Sequence, residues 1–361
     1  QKTAYEIRLS LVGSEMCIRD RLIHMAEPIL SVRGLETFFR PDEGIVRAVD
    51  GASFDLYPGR TLGIVGESGC GKSVTARSIL RIVERPGKVE RGEVLLRRGD
   101  GRVVDLVTID DQSAEMRDIR GGEIGYVFQE PMSSLSSFHT IGNQVVEAIR
   151  LHRAMSAKEA RARAIELLQL VGIPRPEQRV DSYSFELSGG LRQRVMIALA
   201  LAAEPSILIA DEPTTALDVT TQAQILELIR KIQVERNLAV ILITHDMGVI
   251  AEMADSVSVM YLGKVVESGS VDTIFHAPRH PYTQALLRSI PSVLAEPRSR
   301  LATIAGSIPH PYARPPGCPF HPRCQSFKPG VCDKSAPTVT RLAPDHEVRC
   351  FLYGEPAEAA S

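Results

Sequence analysis

The sequence predicts an α/β fold with an irregular C-terminal extension, and three observations predict it. First, the apolar run Thr61-Leu62-Gly63-Ile64-Val65 leads straight into Gly66-Glu67-Ser68-Gly69-Cys70-Gly71-Lys72-Ser73 and then into a helical stretch expected to end near Val83. Second, two more buried-type strands, Ser206 to Ala210 and Ala239 to Thr244, stop at polar residues, Asp211-Glu212 and His245. Open α/β sheets gather their ligands at such carboxyl ends. Third, the composition shifts beyond Ser270, and Ser307 to Pro322 carries six prolines, which exclude regular helix or central strand.

At 361 residues with 44% hydrophobic content, the chain can bury at least one full core and exceeds the usual single-domain size. A net charge of −2 gives no global reason to expect a nucleic-acid partner, and none is expected. The longest apolar runs, such as Val195 to Ala203, fall well short of a membrane span. Leu11 to Arg21 resembles the in-frame translation of a transposon-end adapter used in preparing DNA for sequencing, with a genuine, poorly ordered extension as the alternative, so residues 1–24 are set aside from the fold. Met25-Ala26-Glu27-Pro28-Ile29-Leu30 then reads as a natural start running into a first strand.

The loop at 66–73 has the strand, loop and helix context that a phosphate-binding P-loop requires. Gly66, Gly69 and Gly71, with Ser68 and Cys70 between them, let the backbone wrap a phosphate. Lys72 supplies a point charge to the β- and γ-oxygens, and the Ser73 hydroxyl can sit on Mg²⁺. Cys70 stands at a variable position and reads as a small packing residue. Asp211 suits the surroundings of the metal. Glu212, one residue on, can polarise the attacking water. An adjacent acidic pair is usually solvated surface and a single histidine usually structural, but Glu212 and His245 both stand at strand ends, which favours a γ-phosphate contact for His245. Gln129, after the strand-like Tyr126-Val127-Phe128, can ligate Mg²⁺ or orient water through its amide carbonyl. Between Gln129 and position 186, Thr140 to Ile149 and Ala157 to Val171 show helical apolar spacing, and Ser156 with Glu159 makes a capping box. In Leu187-Ser188-Gly189-Gly190-Leu191-Arg192-Gln193-Arg194, Ser188 caps a helix while the Gly189 and Gly190 amides point forward, so that helix start can hold a phosphate supplied by another subunit.

In order and spacing these motifs resemble the ABC ATPase family over nearly all of Met25 to Ser270. The resemblance implies a P-loop NTPase (RecA-like) core with an antiparallel β subdomain and a helical insert at about 131–186. It also implies that Lys72, Ser73, Gln129, Asp211, Glu212 and His245 act on one ATP while Ser188 and Gly190 complete the opposite site. Phe39 is the aromatic expected to stack on adenine, because it precedes Gly44 to Val49 at about the family's distance. Phe38 beside it leaves the choice open, and an apolar aromatic is more often core.

The extension, 271–361, holds a short helix from His280 to Leu287 and then Cys318, Cys324, Cys332 and Cys350, separated by five, seven and seventeen residues. Two disulfides would need an oxidising compartment. A zinc site could add His321 or His346, yet no close C-x₂-C pair occurs. A [4Fe–4S] cluster accepts irregular spacing. Gly317-Cys318-Pro319-Phe320-His321-Pro322-Arg323-Cys324, preceded by Ala305-Gly306-Ser307-Ile308-Pro309, resembles the tail of dipeptide and oligopeptide importer ATPases, some of which hold such a cluster. The resemblance therefore ranks an iron–sulfur cluster ahead of Zn²⁺, with unligated cysteines third.

The same resemblance implies an ATP-hydrolysing subunit on the cytoplasmic face of the inner membrane. Its implied partners are a second ABC ATPase subunit, two membrane permease subunits and, through them, an extracytoplasmic solute-binding protein. Nickel or small sugars stay open as cargo beside peptides. A soluble ABC ATPase of DNA repair or translation is the rival reading; such proteins usually bring two cassettes in one chain, a long coiled coil or a basic insert, and none of these is present.

Overall fold

The computed structural model describes residues 27–130, 134–290 and 304–354. The stretch read as an adapter translation lies outside them, as does the start at Met25.

The chain forms two compact units. One comprises the described residues up to Asp55, Leu62–Val94 and everything from Thr244 on; the other comprises Leu56–Thr61 and Leu95–Ile243. In chain order the strands are β1 (Leu30–Phe39), β2 (Val46–Leu56), β3 (Thr61–Val65), β4 (Gly87–Arg97), β5 (Val103–Asp105), β6 (Ile124–Val127), β7 (Ile207–Asp211), β8 (Ala239–Thr244), β9 (Ser256–Tyr261), β10 (Lys264–Ser270), β11 (Thr340–Ala343) and β12 (His346–Val348). The helices that matter here are α1 (Lys72–Ile79), α2 (Ile141–His152), α3 (Ala157–Leu170), α4 (Gly189–Ala200), α5 (Val219–Arg236), α6 (Met247–Met253) and α7 (Pro281–Arg288).

In the first unit β2, β1 and β4 lie side by side in that order. A second set of neighbours runs β11-β12-β10-β9-β3, with β3 and β9 parallel and the rest antiparallel. All five residues of β3 are buried, as an apolar run between turn signals requires of a strand covered on both faces. α1 stops at Ile79, short of the Val83 expected from sequence: Leu80 caps it and Arg81 turns left-handed at φ 55, so the helical ladder cannot continue.

The extension contributes more order than its prolines suggested. Beyond the irregular segment, β11 and β12 form a hairpin whose inner strand pairs with β10, aligning Glu267 with Val348. The Glu267 side chain is wholly buried in this seam. It accepts hydrogen bonds from the Arg279 and His280 amides at 2.6 and 2.9 Å and pairs with His346 Nε2 at 2.9 Å. A buried carboxylate survives only with its lone pairs engaged, and here three donors engage them.

In the second unit β8, β7 and β6 run parallel in that order, with Asp211 opposite Ile243 at the carboxyl end. The last residues of β4, Leu95–Arg97, pair antiparallel with β5. The helical segment between β6 and β7 forms as its spacing predicts. Thr140 caps α2, Ser156 and Glu159 make the reciprocal capping box of α3, and both helices bury one apolar stripe. No helix among the described residues is long and apolar enough to cross a membrane.

Candidate functional site

In the first unit, the loop between β3 and α1 is shaped by its glycines. Gly71 sits at φ 104, and a β-carbon there would stand 2.1 Å from the Ala48 carbonyl oxygen; one on Gly66, at φ 153, would stand 2.2 Å from the Met260 carbonyl oxygen. Only glycine permits both the conformation and the approach of flanking backbone. Ser68 and Gly69 face solvent at the loop's tip, and Gly69 has open space around it. Lys72 is 4% exposed, and its Nζ donates to the carbonyls of Gly66 at 2.8 Å and Glu67 at 3.2 Å. The ammonium is thus held inside the loop's own curve, where a phosphate oxygen would find it. Ser73 follows in the first turn of α1. Cys70 is buried against Gly66, and burial pushes its thiol up, as suits a small packing residue.

His245 is exposed just past the end of β8, beside Asp246, which caps α6 through its carboxylate. Phe39 is half-buried, and the space a Gly87 side chain would need is filled by its ring. Phe38 beside it carries the Arg47 guanidinium over its face at 5.3 Å.

In the second unit, Asp211 ends β7 buried, and the Tyr126 hydroxyl donates to its Oδ2 at 2.8 Å. Glu212 is only partly buried and sits at φ 47, a left-handed conformation costly for a non-glycine residue. Its amide donates to the Ile243 carbonyl, and its Oε2 accepts from Gln129 Nε2 at 3.2 Å and from the Thr215 hydroxyl at 2.9 Å. Backbone strain persists where neighbours over-determine it, and these three contacts do so for Glu212. Gln129 and Glu212 are thus brought together as the sequence reading required; Tyr126 and Thr215, which hold the two carboxylates, were not foreseen.

Ser188 caps α4, its hydroxyl accepting from the Leu191 amide at 3.4 Å, and both Ser188 and Gly189 are exposed. Gly190 lies against Thr221, whose Cγ2 would be 2.6 Å from an added β-carbon. Thr221 in turn gives its amide and hydroxyl to Asp218, the cap of α5. The start of α4 therefore presents free-facing amides at an anion-attracting helix end.

Cys318, Cys324, Cys332 and Cys350 are free thiols that line one pocket with His280, Phe320 and His321. Burial, reinforced by the other cysteines, pushes Cys318 up to about 12, and burial also raises Cys324 and Cys350. Four irregularly spaced thiols do converge. The expected iron–sulfur cluster or zinc is nevertheless not supported: among the described residues no three His, Cys, Asp or Glu side chains form a group able to hold a metal ion.

A glycine-forced phosphate loop in one unit, and a strained carboxylate with a capped glycine helix start in the other, define a P-loop nucleotide hydrolase of the ATP-binding cassette class. Family models agree: the ABC transporter model matches residues 49–215, and the model for the C-terminal region of oligopeptide and dipeptide transporters matches 266–332. The chain is 47% identical over 335 residues to a protein of Brucella melitensis named for peptide import and ATP binding, covering 91% of this chain and 98% of that one. It is 48% identical over 335 residues to the dipeptide transport ATP-binding protein DppD of Bacillus subtilis, covering 92% and 97%. Among solved structures it resembles a dimeric ATP-binding cassette in a post-hydrolysis state bound to ADP and Pi, with TM-score 0.59, 30% identity, 67% of this chain and 98% of that one. It also resembles cbiO1 of Clostridium perfringens, with TM-score 0.57, 29% identity, 70% and 92%. The chain belongs to the ABC transporter ATP-binding proteins, in the branch carrying the oligopeptide and dipeptide transporter C-terminal region, and it is an ATPase.

Proposed function

We propose that the chain hydrolyses ATP to drive uptake of dipeptides or oligopeptides through partner permeases. The observation that carries this reading is the pairing of an ABC transporter match with a match to the oligopeptide and dipeptide transporter C-terminal region in one chain. Its relatives of similar length carry names for peptide import and dipeptide transport.

In this reading Gly66, Gly69, Gly71 and the amides around Ser68 and Cys70 cradle the β-phosphate while Lys72 neutralises the β- and γ-oxygens. Glu212 accepts the proton of the attacking water, Gln129 orients that water, and His245 contacts the γ-phosphate. Phe39 stacks on adenine. Ser188, Gly189 and Gly190 take the γ-phosphate of a second ATPase subunit, which accounts for a capped helix start facing solvent. Ser73, Gln129 and Asp211 offer the hydroxyl and carbonyl or carboxylate oxygens that suit Mg²⁺, and the buried Asp211 carboxylate already has a positioned neighbour in Tyr126. The ion would offset charge on the phosphate oxygens when bound.

The proposed assembly is two ATPase subunits on the cytoplasmic side of the membrane, two permease subunits and a solute-binding protein outside. Its test is reconstitution with the neighbouring permease and receptor genes in vesicles. ATP-dependent peptide accumulation is expected. Hydrolysis stimulated by a receptor loaded with nickel or sugar, and not by one loaded with peptide, would overturn the cargo assignment.

A further inference from the structure

The second residue of the phosphate loop, Glu67, is an acid beside a site built for a polyanion. No local motif gives it a role, and the structure gives it a partner from far along the chain. Arg323, between Cys318 and Cys324 in the extension, meets the Glu67 carboxylate with both prongs of its guanidinium, Nη1 to Oε2 at 2.7 Å and Nη2 to Oε1 at 3.0 Å. The fork cannot swing freely. Its Nε donates to the Ala305 carbonyl at 3.0 Å, Nη1 also reaches the Tyr261 hydroxyl at 3.4 Å, and the side chain is 4% exposed. A second strap grips the same residue: the Glu67 amide donates to the Tyr282 hydroxyl at 2.9 Å. The two straps are packed as one block, since Tyr261, Tyr282 and Phe320 make mutual ring contacts at 4.7 to 5.3 Å between centroids. A bidentate arginine–carboxylate pair is directional as well as strong, and lysine cannot reproduce it.

We propose that Arg323 is a positioning residue for ATP: by neutralising and orienting Glu67, the C-terminal extension sets the affinity of the phosphate-binding loop. Without the guanidinium, the carboxylate faces the bound phosphates uncompensated and the loop's first turn loses one of its two anchors to the extension. Binding suffers before chemistry does, because the groups that act on water are elsewhere in the chain.

The test is ATP titration and steady-state hydrolysis on the full chain with a double-mutant cycle. Arg323→Ala is expected to raise both the Kd and the KM for ATP about tenfold while kcat changes less than about twofold; tenfold corresponds to about 1.4 kcal/mol. Raising salt should shrink the effect, since Coulomb repulsion of the phosphates is screened. Arg323→Lys should restore part of the affinity, charge without the fork. In a Glu67→Gln background Arg323→Ala should change KM by less than about twofold. An unchanged KM in Arg323→Ala, or the same rise with and without the Glu67 carboxylate, overturns the proposal. If Arg323→Ala does not fold, Arg323→Gln and Arg323→Lys are read by the same cycle. The inference rests on residues 66–73 binding ATP, and a wild-type chain that binds none would strike that assignment instead.

Discussion

The glycine loop at 66–73 and the acidic strand end at Asp211 and Glu212 hold their polar groups in opposite ways. Lys72 is almost wholly buried, and its loop is forced by backbone approach at Gly66 and Gly71. Gln129, Ser188 and Gly189 are exposed, and Glu212 is held by two side-chain hydrogen bonds and one amide. The first region is shaped by its own packing. The second presents chemistry to solvent, where a further surface can complete it. The difference teaches that packing fixes one region while adjustable polar contacts hold the other, so substitutions in the two should be felt differently.

Glu212→Gln attacks the hydrolytic side alone and should have the largest effect: a fall of about 10²- to 10⁴-fold in kcat with ATP affinity kept, read by phosphate release and nucleotide titration. Undiminished hydrolysis would remove Glu212 from the base role. Gly71→Ala attacks the other side through folding. A β-carbon 2.1 Å from the Ala48 carbonyl at a left-handed φ should cost about 3 kcal/mol, seen as a lowered midpoint in urea, and ATP binding should fall with it. Equal stability would mean the loop is looser than its contacts imply.

Gly190→Ala probes the exposed side for hidden rigidity. Its methyl must displace Thr221 from Asp218, so a loss of about 1–2 kcal/mol accompanied by slower turnover is expected. A change in turnover without a change in thermal midpoint would sharpen the comparison, placing the penalty in completing the site and not in the fold. Ser188→Ala should be mildest on stability, about 0.5–1 kcal/mol, because the cap it removes is long at 3.4 Å. Thermal unfolding at matched protein concentration checks it.

Much of this molecule is legible in one dimension because its signals are local. A glycine loop after an apolar strand, an acid pair at a strand end, Ser156 with Glu159 and Ser188 before two glycines all depend on neighbours within a few residues. The helical insert was readable for the same reason, from stripe spacing and caps. The end of α1 was not, since a left-handed Arg81 leaves no mark in composition. The hairpin β11–β12 was hidden by the prolines before it: its strands are short, and the partner of β12 is the distant β10, with Glu267 opposite Val348.

The sequence by itself determined the class of chemistry, the branch of the family and the candidate residues for phosphate and water. Tertiary structure alone decided how those residues are held. It set Tyr126 on Asp211, drew four thiols around one pocket without forming a metal-binding group, and brought Arg323 onto Glu67 across 256 positions. Such partners are chosen by burial, which leaves a charged or polar group no water and so commits it to whatever complementary group the fold brings within reach. No local pattern encodes that choice, because the free energy that makes it arises only when distant segments pack.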